Sequence, residues 1–287
     1  MRSIAVVNLK GGSGKTTTAL SLAAGMARRG IRTLLVDADS QGNATLTMLD
    51  GRAADPPTLG NVLLGQAEIA DAVRPTRIAG LDILPADSRL ADAALLLAEH
   101  LGREHRLRVA LERARLPHGV MVVDCPPQMS LVTVNVLAAV GELIVPVDAG
   151  IYSVSGLAQL RQTVADVRAY LGNASLRIGG LLLTRTHNNR ATKDIADQLR
   201  AAYGPLVFRA SVPHSVRVEE AHARNLTVAE FAPTSAPARA YDDLLTEVIA
   251  HGDQQPGDSV APLDADPTAA AAAGGRAGRG RARRRAG

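Results

Sequence analysis

Eight consecutive residues near the start combine two lysines, three glycines and three hydroxyl side chains: Lys10-Gly11-Gly12-Ser13-Gly14-Lys15-Thr16-Thr17. Glycines let a backbone curl until its N–H groups point inward at phosphate oxygens. The residues from Lys15 onward read as a helix, whose first turn adds free N–H groups and a positive dipole end. Lys15 then reaches β- and γ-phosphates, and the Thr16 hydroxyl is placed for Mg²⁺. The common phosphate-loop pattern G-x-x-x-x-G-K-[ST] would put a glycine at position 9, which is Leu9 here. Lys10 opens the loop instead. A second cation serves the charge that develops in phosphoryl transfer, or meets a phosphate bound by another subunit.

Two acidic motifs follow. Asp37 and Asp39, in Val36-Asp37-Ala38-Asp39-Ser40-Gln41-Gly42-Asn43, stand two apart at the predicted end of a strand. Around a magnesium nucleotide, one can help hold the metal shell and the other can orient an attacking water. Asp124 closes the apolar run Val120–Val123 and precedes Cys125-Pro126-Pro127. An acid there is expected to contact Mg²⁺ through water. Cys125, the only cysteine, reads as a small packing residue.

These residues need a frame that brings strand ends together. Ile4–Val7, Thr33–Val36, Val120–Val123, Leu143–Val147 and Ile178–Leu183 are continuous apolar runs, as in parallel strands covered on both faces. Helical patterns alternate with them at Lys15–Arg29, Ala91–Arg115, Leu131–Val140, Ser153–Leu171, Thr192–Tyr203 and Ser235–Ala250. Residues 40–90 are less regular and read as loops and short helices. The alternation predicts an α/β fold with a doubly wound, mostly parallel sheet, its ligand beyond the carboxyl ends of the strands.

Composition removes several classes. Hydrophobic residues are 46% of the 287-residue chain, enough for a core, but aromatics are 2% and tryptophan is absent. A surface that stacks bases on aromatic rings is therefore excluded. One cysteine excludes a disulfide framework and a cysteine-cluster zinc site. The four apolar residues Ile4–Val7 are too short for a secretory signal, and Leu131–Val147 is interrupted by Asn135, Glu142 and Pro146, so neither a signal nor a membrane span is expected. The net charge of +4 is unevenly placed. Residues 252–267 carry four aspartates and no base; residues 268–287 carry six arginines and no acid. Without large apolar residues after Leu263, residues 252–287 are expected to be a disordered tail behind a folded domain of residues 1–251.

The chain resembles the ParA/MinD family of deviant Walker A ATPases, and within it the ParA (Soj-like) partition proteins. The loop with its signature Lys10, the Asp37–Asn43 stretch and Asp124-Cys125-Pro126-Pro127 carry the likeness. Leu131-Val132-Thr133-Val134-Asn135, Gly156-Leu157 and Val212-Pro213 with Val218-Glu219-Glu220-Ala221 add to it. It covers roughly residues 2–250. The resemblance implies ATP and Mg²⁺ as ligands and an ATP-dependent homodimer in which Lys10 reaches the partner's nucleotide. It implies Asp39 as the water-orienting carboxylate, Asp124 with Thr16 and Asp37 around the metal, and Pro213 to Ser215 packing on adenine. It also implies binding to DNA without sequence preference, stimulation by a ParB-like partner, and a cytoplasmic, nucleoid-associated protein. Ser40, His214-Ser215 and Asp148-Ala149-Gly150-Ile151 depart from the family pattern.

A dimer of this kind would align some of Arg185, Arg190, Lys193, Arg209, Arg217 and Arg224 along a DNA-facing edge. A separate operator-reading domain ahead of the first strand is not expected. The tail lacks the apolar face of an amphipathic membrane helix, so no membrane partner is expected; its arginines suit loose phosphate contact. Two other readings stay open. The same machinery could position a protein cargo through an adaptor. A soluble P-loop enzyme or metal-cluster carrier is the other, although one cysteine cannot supply a paired-cysteine cluster site.

Overall fold

The strands are β1 (Arg2–Val6), β2 (Thr33–Asp37), β3 (Arg74–Pro75), β4 (Leu81–Leu84), β5 (Val120–Asp124), β6 (Glu142–Asp148), β7 (Arg177–Thr186) and β8 (Val207–Pro213). In the computed structural model, which describes residues 1–149 and 153–253, they form one sheet in the order β3-β4-β2-β5-β1-β6-β7-β8. Every pairing is parallel except that of the two-residue β3 with β4. The sheet is doubly wound about β1, which lies between β5 and β6. β2 and β5 are buried along their whole length, as continuous apolar runs demand.

Helices cover the sheet: α1 (Lys15–Arg28), α2 (Asn43–Met48), α3 (Leu59–Leu63), α4 (Ile69–Ala72), α5 (Leu90–Leu97), α6 (Arg106–Arg113), α7 (Leu131–Ala139), α8 (Ser153–Tyr170), α9 (Arg190–Tyr203), α10 (Val216–Ala223), α11 (Val228–Phe231) and α12 (Ala236–Asp253). α1 is central, and twelve of its residues are buried, from Lys15 to Ala27. Residues Met1–Val248 form one compact unit. The tail expected from residue 252 lies, beyond Asp253, outside the described residues.

Three local readings need correction. The helix expected over 91–115 is broken: Gly102 takes a left-handed φ of 64°, and a 3₁₀ turn at Arg103–His105 separates α5 from α6. The irregular stretch 40–90 does hold short helices, but it also supplies β3 and β4. The four residues of β4 give too little pattern to read. β8 also escapes the apolar-run rule because it is an edge strand, buried at Val207 and Phe208 but exposed at Arg209. Its outer edge is closed by Glu247 of α12, which accepts hydrogen bonds from the Arg209 and Ala210 N–H groups at 3.0 and 2.8 Å. Asn135, part of the family-like stretch, is a structural brace. Its amide donates to the Arg103 and Leu131 carbonyls and its Oδ1 accepts from the Leu107 N–H, tying α7 to the turn and to α6.

Candidate nucleotide site

The loop after β1 is pinned from both sides. Asn8 Oδ1 accepts from the Lys10 N–H at 2.9 Å, while its amide donates to the Pro146 carbonyl at 2.6 Å. From the end of β7, the Thr184 hydroxyl donates to the Ser13 carbonyl at 2.9 Å. Gly14 adopts φ 87°, a left-handed conformation that a side chain would strain, and α1 starts at the next residue. The result is a braced loop leading into the first N–H groups of α1, which have no intrahelical partner and suit an anion.

Around it opens a cavity of about 350 Å³. Of the residues singled out in the sequence, Gly11, Gly12, Gly14, Lys15, Thr16, Thr17, Asp39, Pro213 and Ser215 line it. Lys15 is 6% exposed, and its Nζ donates to the Lys10 carbonyl at 3.1 Å. Burial pulls its pKa below the usual lysine value, against the opposing pull of Asp124, Cys125 and Asp39. A buried ammonium whose protein partner is one carbonyl is well prepared to exchange it for phosphate oxygens.

The acids divide their work. Asp37 and Asp124 are register partners on neighbouring strands and both are fully buried. Asp37 is already occupied: Oδ2 accepts from the Thr45 N–H and hydroxyl, both at 2.8 Å, and Oδ1 from the Asp39 N–H at 3.1 Å. Burial raises its carboxyl to about 6, despite the hydrogen bonds from Thr45. Asp37 thereby holds the loop that carries Asp39 into the cavity. Asp39 in turn accepts from the Gln41 N–H at 3.0 Å.

Asp124 differs in that neither of its oxygens has a hydrogen-bond partner. Burial and the nearby Asp37 push its carboxyl well above the ordinary range, against the pull of the Thr16 hydroxyl and Lys15. An unpartnered buried carboxylate beside a threonine hydroxyl and a phosphate loop is the hard-oxygen donor set that suits Mg²⁺. Thr16 and Asp124 are thus the residues that would hold it. Burial and Asp124 raise the Cys125 thiol far above its usual pKa, which keeps it an inert packing group.

The remaining predicted residues are placed as follows. Lys10 does not line the cavity. Its Nζ pairs with Asp148 at 3.2 Å, and its side chain is 44% exposed. Ser13 is buried, with its hydroxyl unpartnered. Arg185 lines the nucleotide cavity, at a left-handed φ of 52°. Arg190 and Lys193 project from the first turns of α9, Arg190 near Asp194 at 3.9 Å. Arg209 stands out from β8, Arg217 pairs with Glu220 at 2.9 Å, and Arg224 lies over the Phe231 ring at 4.8 Å. Of the departing positions, Gly150 and Ile151 fall outside the described residues. His214 stacks on His187 with ring centres 5.0 Å apart, and Ser215 caps α10 by accepting from the Arg217 N–H.

Sequence reasoning missed several cavity residues: Asn43, Pro127, Thr184, His222 and Tyr241. The two helices that carry His222 and Tyr241 come near the end of the chain, about 200 residues after the loop, and no spacing rule connects them to it. The Tyr241 hydroxyl meets the Thr18 hydroxyl at 3.3 Å beneath the loop.

Comparison with known proteins settles the kinship. An AAA-domain family model matches residues 1–178. The chromosome partitioning protein ParA of Caulobacter vibrioides is 39% identical over 252 residues, covering 87% of this chain and 94% of that one. The chain belongs to the ParA/MinD family of P-loop ATPases. The chromosome-partitioning ATPase Soj of Thermus thermophilus is 41% identical over 251 residues, with 87% and 96% covered. Among solved structures, one described as cobyrinic acid a,c-diamide synthase of Mycobacterium smegmatis, with bound ATP analogue and magnesium, matches at a TM-score of 0.76 and 30% identity. It covers 88% of this chain and 96% of that one. Among the described residues, no helix is long and apolar enough to cross a membrane.

Proposed function

We propose that the protein is a ParA-type partition ATPase. Residues 1–251 act as its nucleotide-gated domain, which closes into a sandwich homodimer on ATP, binds DNA without sequence preference and hydrolyses ATP when a ParB-like partner or a cargo adaptor engages it. The observation that carries this reading is the division between the two lysines. Lys15 is buried among the phosphate-facing groups, whereas Lys10 stands outside the cavity in an exposed pair with Asp148. A lysine held outside its own pocket is available to a nucleotide bound by another copy.

Mechanistically, the loop N–H groups and Lys15 bind the phosphate chain and hold the γ-phosphate in line for attack. Thr16 and Asp124 would hold the metal, which would supply positive charge beside the phosphate chain. Asp39 orients the attacking water, its loop fixed from behind by Asp37 and Thr45. Lys10 of the partner copy adds positive charge where it develops. Arg190, Lys193, Arg209, Arg217 and Arg224 supply phosphate contacts on the outer surface, whereas Arg185 acts at the nucleotide. The tail from residue 252 adds arginine contacts to DNA. The cytoplasmic nucleoid is the setting this chemistry fits.

The relative described as a synthase raises an amide-forming reading of the same fold. That chemistry would consume ATP only with an amine and a carboxylic substrate present. The test is therefore ATP turnover and mass by light scattering with no other substrate. We expect slow, Mg²⁺-dependent hydrolysis and an ATP-dependent dimer. Asp39→Ala should retain the dimer and lose hydrolysis; Lys10→Ala should lose both. No turnover without a co-substrate, or a monomer in all nucleotide states, would overturn the proposal.

A further inference from the structure

His222 lies in the last turn of α10 and lines the nucleotide cavity, although nothing in the phosphate-loop chemistry calls for it. Its Nε2 is 3.1 Å from the hydroxyl of Thr17, a residue 205 positions earlier in the chain. Thr17 follows the metal-facing Thr16 in the first turn of α1 and lines the same cavity. Lys15 and Thr16 serve the terminal phosphates. The next hydroxyl along the turn, that of Thr17, lines the same cavity as Pro213, Val218 and His222, one residue beyond the groups assigned to the terminal phosphates.

We infer that His222 is a positioning residue for nucleotide binding, which acts by orienting the Thr17 hydroxyl toward the α-phosphate. The reasoning concerns a single proton. A threonine hydroxyl has one proton to give and lone pairs to receive. If Thr17 gave its proton to His222, only lone pairs would face the anionic phosphate. If instead His222 Nε2–H donates to Thr17 Oγ1, the threonine proton is left to donate to the phosphate oxygen. With an anion bound, only the second arrangement is attractive. His222 therefore carries its proton on Nε2 and fixes a rotor that would otherwise turn freely.

This inference rests on the nucleotide reading above and adds one residue to it. The experiment is ADP binding, read with a fluorescent ADP analogue on the full-length chain. His222→Ala should weaken binding about ten- to a hundredfold, the range expected for losing one hydrogen bond to a charged group. His222→Gln, which keeps an N–H donor near the same point, should stay within about twofold of wild type. In ATP turnover, His222→Ala should raise KM and leave kcat near wild type, because the α-phosphate does not react. A double-mutant cycle separates positioning from mere support. Thr17→Val should weaken binding, and adding His222→Ala to it should cost nothing more. Additive losses, or wild-type affinity in His222→Ala, would overturn the inference while Lys15→Ala still abolished binding. If the wild-type chain bound no ADP, the nucleotide reading would fall and this inference with it.

Discussion

A carboxylate without hydrogen-bond partners is costly in a buried place, and Asp124 is such a group. The cost is relieved by a bound proton or by a cation beside the carboxylate. Asp124→Asn replaces the ionisable carboxyl with a neutral amide, so at a pH where the carboxylate is charged the nucleotide-free variant should unfold at a higher temperature than wild type, by the equivalent of about 1–3 kcal/mol. The same variant should lose most of the Mg²⁺ enhancement of nucleotide affinity, measured by titration with and without the metal. The pH dependence has a definite sign. The folded-state pKa values of Asp37 and Asp124 are raised, Asp37 to about 6, so their contribution to stability is present below the unfolded value and lost as pH rises through the folded one. The stability gained by Asp124→Asn should therefore grow from mildly acidic to neutral pH. A gain that shrank with pH would mean that neighbouring groups already compensate the carboxylate.

Elements place these residues through close approaches that tolerate little change. Gly180 in β7 lies against Phe208 of β8; a methyl group there would fall 2.3 Å from the ring. Gly180→Ala should destabilise the protein by about 1–3 kcal/mol, seen in thermal melts, while ATP affinity of the folded protein stays near wild type. The five long buried strands and the phosphate loop were legible from sequence because both announce themselves locally: continuous apolar runs for the former, glycine-lysine-threonine spacing for the latter. Asp37 and Asp124 were legible as strand ends, but not as register partners, since pairing between β2 and β5 is a property of the whole sheet. β4 and β8 were not legible, one for shortness and the other for its exposed edge positions. Tyr241 and His222 reach the loop only through the docking of α12 and α10, a tertiary fact with no local signature.

At the scale of the molecule, the phosphate-loop cavity and Lys10 lie on one compact unit, and the proposed switch would join two copies rather than bend one. Mg-ATP should raise the melting temperature of wild type, by about 3 kcal/mol in stability at a hundredfold excess over Kd, and Lys15→Ala should abolish that rise. Dimerisation doubles whatever basic surface each copy carries, so DNA affinity should follow the nucleotide state and fall steeply with salt. The most direct measurement is binding to random-sequence duplex DNA at fixed salt, with ATP, ADP or no nucleotide, for the full chain and for a version ending at His251. ATP alone should promote binding by both, and Lys15→Ala should remove the effect. Binding by the full chain in every nucleotide state, with none by the shortened one, would make the tail the DNA anchor and contradict a nucleotide-gated clamp.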